Sequence, residues 1–143
     1  MKHPELAIEL ARALAAYAHE GQLDKAGQLY LSHPVAVAGK VHTPEEKVTA
    51  LLHDALEDTF VLPETIGNLF GAEILTAVQA VTKMPGESYM DFVARAKQNP
   101  IARAVKLADL EHNMDLSRIP NPTGEDLARV EKYRKAKAFL MED

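Results

Sequence analysis

Apolar positions recur at helical spacing along almost the whole chain, and proline, glycine or a capping residue marks each break between the periodic stretches. Residues 4 to 20 open with Pro4 in a first-turn position, are rich in Ala and Leu, and stop at Gly21, which suits a left-handed cap. "GQLDKAGQLYLS", residues 21 to 32, has two glycines and no helical period, so it predicts a loop. A short helix from Pro34 to about Val41 follows. "HTPEEKVTALLHDALED" then supplies Thr43 as N-cap, Pro44 at the first helical position and Glu46 in the capping-box position, which predicts a helix running into the acidic end of the stretch. Further helices fall at about 63 to 70, at 72 to 82, and at about 88 to 98 with Ser88 as N-cap. A long one runs from Asn99 and Pro100 through about Arg118, and the last spans 124 to 141. With no strand pattern, internal repeat or low-complexity segment, the expected fold is all-α, a compact bundle of about seven to eight helices.

Length and composition narrow this picture. The chain has 143 residues, enough for one core, so residues 1 to 143 are expected to form a single domain. Hydrophobic residues at 47% and charged residues at 26% are ordinary for a globular protein. The net charge of -5 argues against bulk nucleic-acid binding, and an anionic substrate would need a local offset to that field. There is no cysteine, so a metal would have to sit on histidine and carboxylate. No apolar run approaches the roughly 20 residues of a membrane span, and Glu5, Glu9 and Arg12 interrupt the N-terminal stretch. The reading is a cytoplasmic, unanchored protein, with monomer and homo-oligomer both open.

Candidate chemistry concentrates in "LLHDALEDT", residues 51 to 59. At 100° per residue His53, Asp54, Glu57 and Asp58 share one arc, opposite Val48, Leu51, Leu52, Ala55 and Leu56. Such an acidic arc is ordinarily a solvated face. Here the carboxylates crowd one another at about 0.2 to 0.5 kcal/mol per like-charge pair, and a divalent cation held by His53 and Asp54 would relieve them. Two ligands are too few. Asp109 lies on a mostly apolar stripe with Ala102, Val105, His112 and Leu116, where a carboxylate pairs with Lys106 or His112 or else binds a metal. Asn113, one turn on, could hold a phosphate or sugar oxygen or make a helix contact. His33, just before Pro34, is a packing or capping residue or a further ligand. Lys25 and Tyr30 could meet a nucleobase or ribose and Lys106 a phosphate, each against the alternative of a solvated or packed side chain; for Arg95 and Tyr89 that alternative is preferred.

Taken in chain order, this pattern of H, then HD, then D resembles the HD superfamily of metal-dependent phosphohydrolases. "DKAGQLYLSHP", "ALLHDALEDT" and "VKLADLEHNMD" are similar to successive motifs of the hydrolase domain in RelA/SpoT-type alarmone enzymes and of small stand-alone alarmone hydrolases, over roughly residues 5 to 140. The resemblance implies an HD-type helical bundle in which His33, His53, Asp54 and Asp109 bind one Mn²⁺. It casts Glu57 and Asp58 as the catalytic acidic pair and Asn113 as a contact to substrate. The implied activity is metal-activated water attack on a nucleotide, removing the 3′-pyrophosphate of guanosine 3′,5′-bis(diphosphate). Another phosphorylated nucleotide or cofactor, or a non-catalytic metal- or nucleotide-binding sensor, is the alternative.

Overall fold

Residues 1–143 are described by a computed structural model in which capping chemistry accounts for most element boundaries. α1 (Pro4–Ala18) closes sooner than its apolar period suggests, because the Glu20 amide bonds the Tyr17 carbonyl three residues back and Gly21 turns the chain at φ 81°. The following loop is organised by Asp24, whose Oδ1 accepts from the amides of Ala26 and Gln28, both at 2.9 Å. A single antiparallel bridge pairs Leu23 with Leu29 there, and the chain has no β-strand. α2 (Ser32–Gly39) begins before Pro34 rather than at it. First-turn amides have no helical partner, so a proline there forfeits no bond. His33 therefore sits inside α2.

α3 (Pro44–Leu52) starts at the expected capping box, with Thr43 and Glu46 bonded reciprocally. It does not continue through the acidic stretch. The Ala50 carbonyl, which a continuing helix would give to the Asp54 amide, is taken by the His53 ring through Nδ1 at 2.6 Å and by the His53 amide. Asp54 lies at φ -104°, ψ 1°, in the sparsely allowed bridge region, and the chain resumes as the single turn α4 (Ala55–Asp58). α5 (Pro63–Phe70) and α6 (Ala72–Ala80) are separated by Gly71 at φ 94°, a left-handed conformation that favours glycine. α7 (Tyr89–Lys97) carries the expected N-cap Ser88, and α8 (Pro100–Asn113) starts at the expected Asn99–Pro100 pair with Asn99 as its N-cap. α8 stops short of Arg118. Asp115 accepts from the Ser117 amide and hydroxyl, a local turn that competes with helix, and a 3₁₀ turn, Leu116–Arg118, follows. Thr123 and Asp126 cap α9 (Gly124–Met141).

The nine α-helical segments, with α3 and α4 as two pieces of one expected helix, agree with the all-α bundle read from the sequence. α3 is the central element. Val48, Thr49, Ala50, Leu51 and Leu52 are all buried, so the helix is enclosed on every side, by α1, α2, α6 and α8. α7, α8 and α9 form a second packing layer around Val93, Leu110, Ala136 and Leu140. No helix is long and apolar enough to cross a membrane. The end of α3, the middle of α8 and the start of α2 meet in this interior, and they carry buried polar residues: His33, His53, Lys106 and Asp109. Residue types of that kind are rarely buried unless paired or ligating.

Candidate metal centre

His33, His53 and Asp109, all buried, each offer a ligand atom within 4.8 Å of the others. His33 Nε2 lies 2.8 Å from Asp109 Oδ1, and His53 Nε2 lies 3.4 Å from the same oxygen. Asp54, expected as a fourth ligand, lies beside this group of three, its Oδ2 3.1 Å from His53 Nε2 and 3.9 Å from His33 Nε2. Three separate elements thus deliver the four residues: α2, the α3–α4 break and α8. The break does the local work, since the bridge-region turn at Asp54 brings two consecutive side chains to one point.

His53 supplies the test of whether a cation fits. Its Nδ1–H donates to the Ala50 carbonyl, so the neutral ring carries its lone pair on Nε2, the arrangement a metal-ligating histidine needs. That Nε2 is buried and makes no hydrogen bond, because it reaches both carboxylates at close range but is aligned with neither. Two imidazoles and two carboxylates gathered this closely suit a borderline-to-hard divalent cation. The residues present therefore fit a metal.

Without a cation, charge is balanced within the cluster. Burial alone would raise the Asp109 carboxyl, but the Lys106 ammonium, 2.9 Å from Oδ2, and the His33 and His53 rings hold it well below the usual carboxylate range. Asp54 is likewise pushed up by burial yet brought down to about 2 by His53. His53 is raised well above its ordinary value, its burial outweighed by Asp54 and Asp109. Burial, and then Asp54, raises the Tyr30 phenol, whose hydroxyl donates a short bond to Asp54 Oδ2.

A cavity of about 410 Å³ opens on this cluster, lined by His33, Asp54 and Asp109 together with all four expected substrate contacts, Lys25, Tyr30, Lys106 and Asn113. Three of those four have committed polar atoms. Tyr30 holds Asp54, Asn113 Nδ2 donates to Asp109 Oδ1 at 3.0 Å, and Lys106 holds Asp109 Oδ2 beside the Phe92 and Tyr89 rings. The pairing of Asp109 with Lys106 is thus realised; that with His112 is not, because His112 bonds His33 instead. Glu57 and Asp58 are exposed and do not line this cavity. Burial, then the neighbouring carboxylates, raises both: Asp58 and Asp54 act on Glu57, and Asp54 acts on Asp58. Arg95 spends its guanidinium on Glu87 and on the carbonyls of Gln79 and Thr82. Arg118, Arg129 and Tyr133 also line the cavity and were not singled out from the sequence. They sit on the 3₁₀ turn and on α9, where Arg118 and Arg129 read only as polar surface positions and Tyr133 as a half-buried packing residue. The one available signal was the acidic net charge, which required local cations around any anionic ligand.

A family model described as HD domain matches residues 11–135. The chain is 34% identical to a GTP pyrophosphokinase of Myxococcus xanthus over 133 residues, covering 78% of this chain and 18% of that protein. It is 34% identical over 116 residues to the guanosine-3′,5′-bis(diphosphate) 3′-pyrophosphohydrolase of Haemophilus influenzae, covering 71% of this chain and 17% of the relative. To the bifunctional (p)ppGpp synthase/hydrolase SpoT of Escherichia coli it is 33% identical over 122 residues, covering 75% and 17%. The chain thus spans less than a fifth of the length of these relatives. Among solved structures, a metazoan ortholog of SpoT that hydrolyzes ppGpp superposes with a TM-score of 0.75 at 24% identity, over 94% of this chain and 84% of that one, and shares the fold.

Proposed function

The chain belongs to the HD domain family, and from that premise we propose that residues 1–143 act as one metal-dependent phosphohydrolase domain that removes the 3′-pyrophosphate of guanosine 3′,5′-bis(diphosphate), with Mn²⁺ as the cation. The observation that carries this reading is the buried, unbonded His53 Nε2 beside Asp54 and Asp109, the two carboxylates that line a cavity whose walls also carry Lys25, Arg118 and Arg129. Its relatives of matching sequence include a 3′-pyrophosphohydrolase of this nucleotide and a synthase/hydrolase.

In this reading His33, His53, Asp54 and Asp109 hold the cation. When bound, it supplies Lewis-acid stabilisation of charge on phosphate oxygens and acidifies water. Lys106, Asn113 and Tyr30 keep the ligand carboxylates oriented and form one wall of the substrate cavity. Lys25 faces the nucleotide with Arg118, Arg129 and Tyr133, and offsets the acidic net charge where the phosphates lie. The oxygen of a water molecule bonds the phosphorus next to the ribose, the bond from that phosphorus to the 3′ oxygen breaks, and pyrophosphate leaves. Glu57 and Asp58 lie outside the cavity lining but near enough to Asp54 for its charge, after burial, to raise both carboxyls. In this reading one of the pair takes the water proton and the other delivers a proton to the departing 3′ oxygen.

The test is a panel of 3′- and 5′-phosphorylated nucleotides with Mn²⁺, following pyrophosphate and phosphate release. Pyrophosphate from the guanosine compound in clear preference to the rest is expected. Preference for a non-guanine nucleotide overturns the substrate, and affinity without release from any nucleotide makes the chain a binding domain.

A further inference from the structure

His112 lies outside the ligand set and yet contacts one of its members directly. Its Nδ1 is 2.7 Å from His33 Nδ1. The two rings are 26° from coplanar with centroids 4.9 Å apart. That separation is the nitrogen–nitrogen distance extended by roughly a ring radius at each end, so the rings meet edge to edge through a linear N–H···N bond rather than face to face. For His33 to offer the Nε2 lone pair, its proton must be on Nδ1, and that N–H needs an acceptor. His53 meets the same requirement with a main-chain carbonyl, whereas His33 Nδ1 has only the His112 ring.

We propose that His112 is a positioning residue of the metal centre: its Nδ1 accepts the His33 Nδ1–H and so aims the His33 Nε2 lone pair at the ligand cluster. This arrangement puts the His33 proton on Nδ1 and the His112 proton on Nε2; the opposite pair, with His33 Nε2–H donating to Asp109 Oδ1 at 2.8 Å and His112 Nδ1–H donating to His33, is the arrangement it excludes. It also makes His33 the one imidazole of the site whose orientation depends on another side chain. The inference rests on the proposed metal dependence of the site. The His112 carbonyl separately accepts from Arg118 Nη1 at 3.0 Å, a main-chain bond that no side-chain substitution removes. A change at the ring therefore isolates its action on His33.

The experiment titrates Mn²⁺ into chelator-treated full chain and reads free Mn²⁺ by electron paramagnetic resonance, for the parent, His112→Phe and His112→Gln. His112→Phe should weaken the Mn²⁺ Kd by about 10- to 100-fold, the usual cost of losing such an outer partner, and His112→Gln, whose Oε1 accepts the same proton, should restore most of it. Equal affinity of parent and His112→Phe overturns the proposal, as does equal weakening by both substitutions, which would mark a packing effect. Nitrogen-15 imidazole spectra of the parent with diamagnetic Zn²⁺ give a test independent of any variant. His33 protonated on Nδ1 and His112 on Nε2 support the bond, and His112 protonated on Nδ1 overturns it. A parent that binds no Mn²⁺ defeats the metal reading itself, a result distinct from any difference between variants.

Discussion

Asp109 divides its two oxygens between opposite tasks. Oδ2 is locked to Lys106, while Oδ1 faces the histidines and Asn113. Both Lys106 and Asp109 are buried, so removing one partner strands a charge away from water. Lys106→Met should destabilise the chelated protein by about 3 to 5 kcal/mol in urea unfolding, and supplying Mn²⁺ should narrow the deficit. A loss within the range of a surface substitution would mean that Asp109 does not depend on Lys106. Glu57 and Asp58 illustrate the opposite case, of carboxyls pushed up by burial and by neighbouring carboxylates. Both carboxyls are raised, so between the ordinary carboxylate pKa and the raised value the folded chain holds more protons than the unfolded one. Stability therefore falls as pH rises through that window. Asp58→Asn should flatten the fall and raise the melting temperature at neutral pH, measured on chelated protein, while lowering turnover by about 10²- to 10⁴-fold with Mn²⁺ still bound. Full turnover in this variant would remove Asp58 from the proton-transfer role.

At the scale of elements, the centre depends on where helices stop. α3 is held at its start by the Thr43–Glu46 capping box and ends where the His53 ring captures the Ala50 carbonyl. Thr43→Ala should cost about 1 kcal/mol of stability while leaving Mn²⁺ affinity unchanged, because the cap lies at the end of α3 remote from His53. Helix starts were legible in the sequence because caps are local chemistry: Thr43 and Ser88 cap as expected, and Asn99 caps α8 at its expected start. Of the helix ends, those of α5 before Gly71 and of α9 at Met141 fall as expected, but those of α3 and α8 do not. Nothing in the period of "LLHDALEDT" shows that an imidazole will outcompete the Asp54 amide, and the Asp115 turn that ends α8 likewise arises from a side chain bonding its own neighbours. The same physics hid part of the site. Asp109 was visible as a carboxylate on an apolar stripe, whereas the closure of His33 onto it, and of Arg118 over the cavity, depends on the packing of α2 and α8 and on the end of α8.

Across the whole molecule, an acidic chain gathers Lys25, Lys106, Arg118 and Arg129 around one cavity that Asp54 and Asp109 also line. The fold assembles this centre from elements distant in sequence, so occupation of the site should stabilise the domain as a unit. At a free cation concentration of 100 times Kd, Mn²⁺ should add about 2.7 kcal/mol to the unfolding free energy, seen as a higher melting temperature that chelation reverses. The most direct measurement is pyrophosphate release from guanosine 3′,5′-bis(diphosphate) by chelator-treated protein, before and after Mn²⁺ is restored, for the parent and for His53→Ala. Release that is absent after chelation, returns with Mn²⁺ in the parent and stays absent in the variant is the expected result. Undiminished release by the chelated protein, or by His53→Ala, would contradict a metal centre built on His33, His53, Asp54 and Asp109.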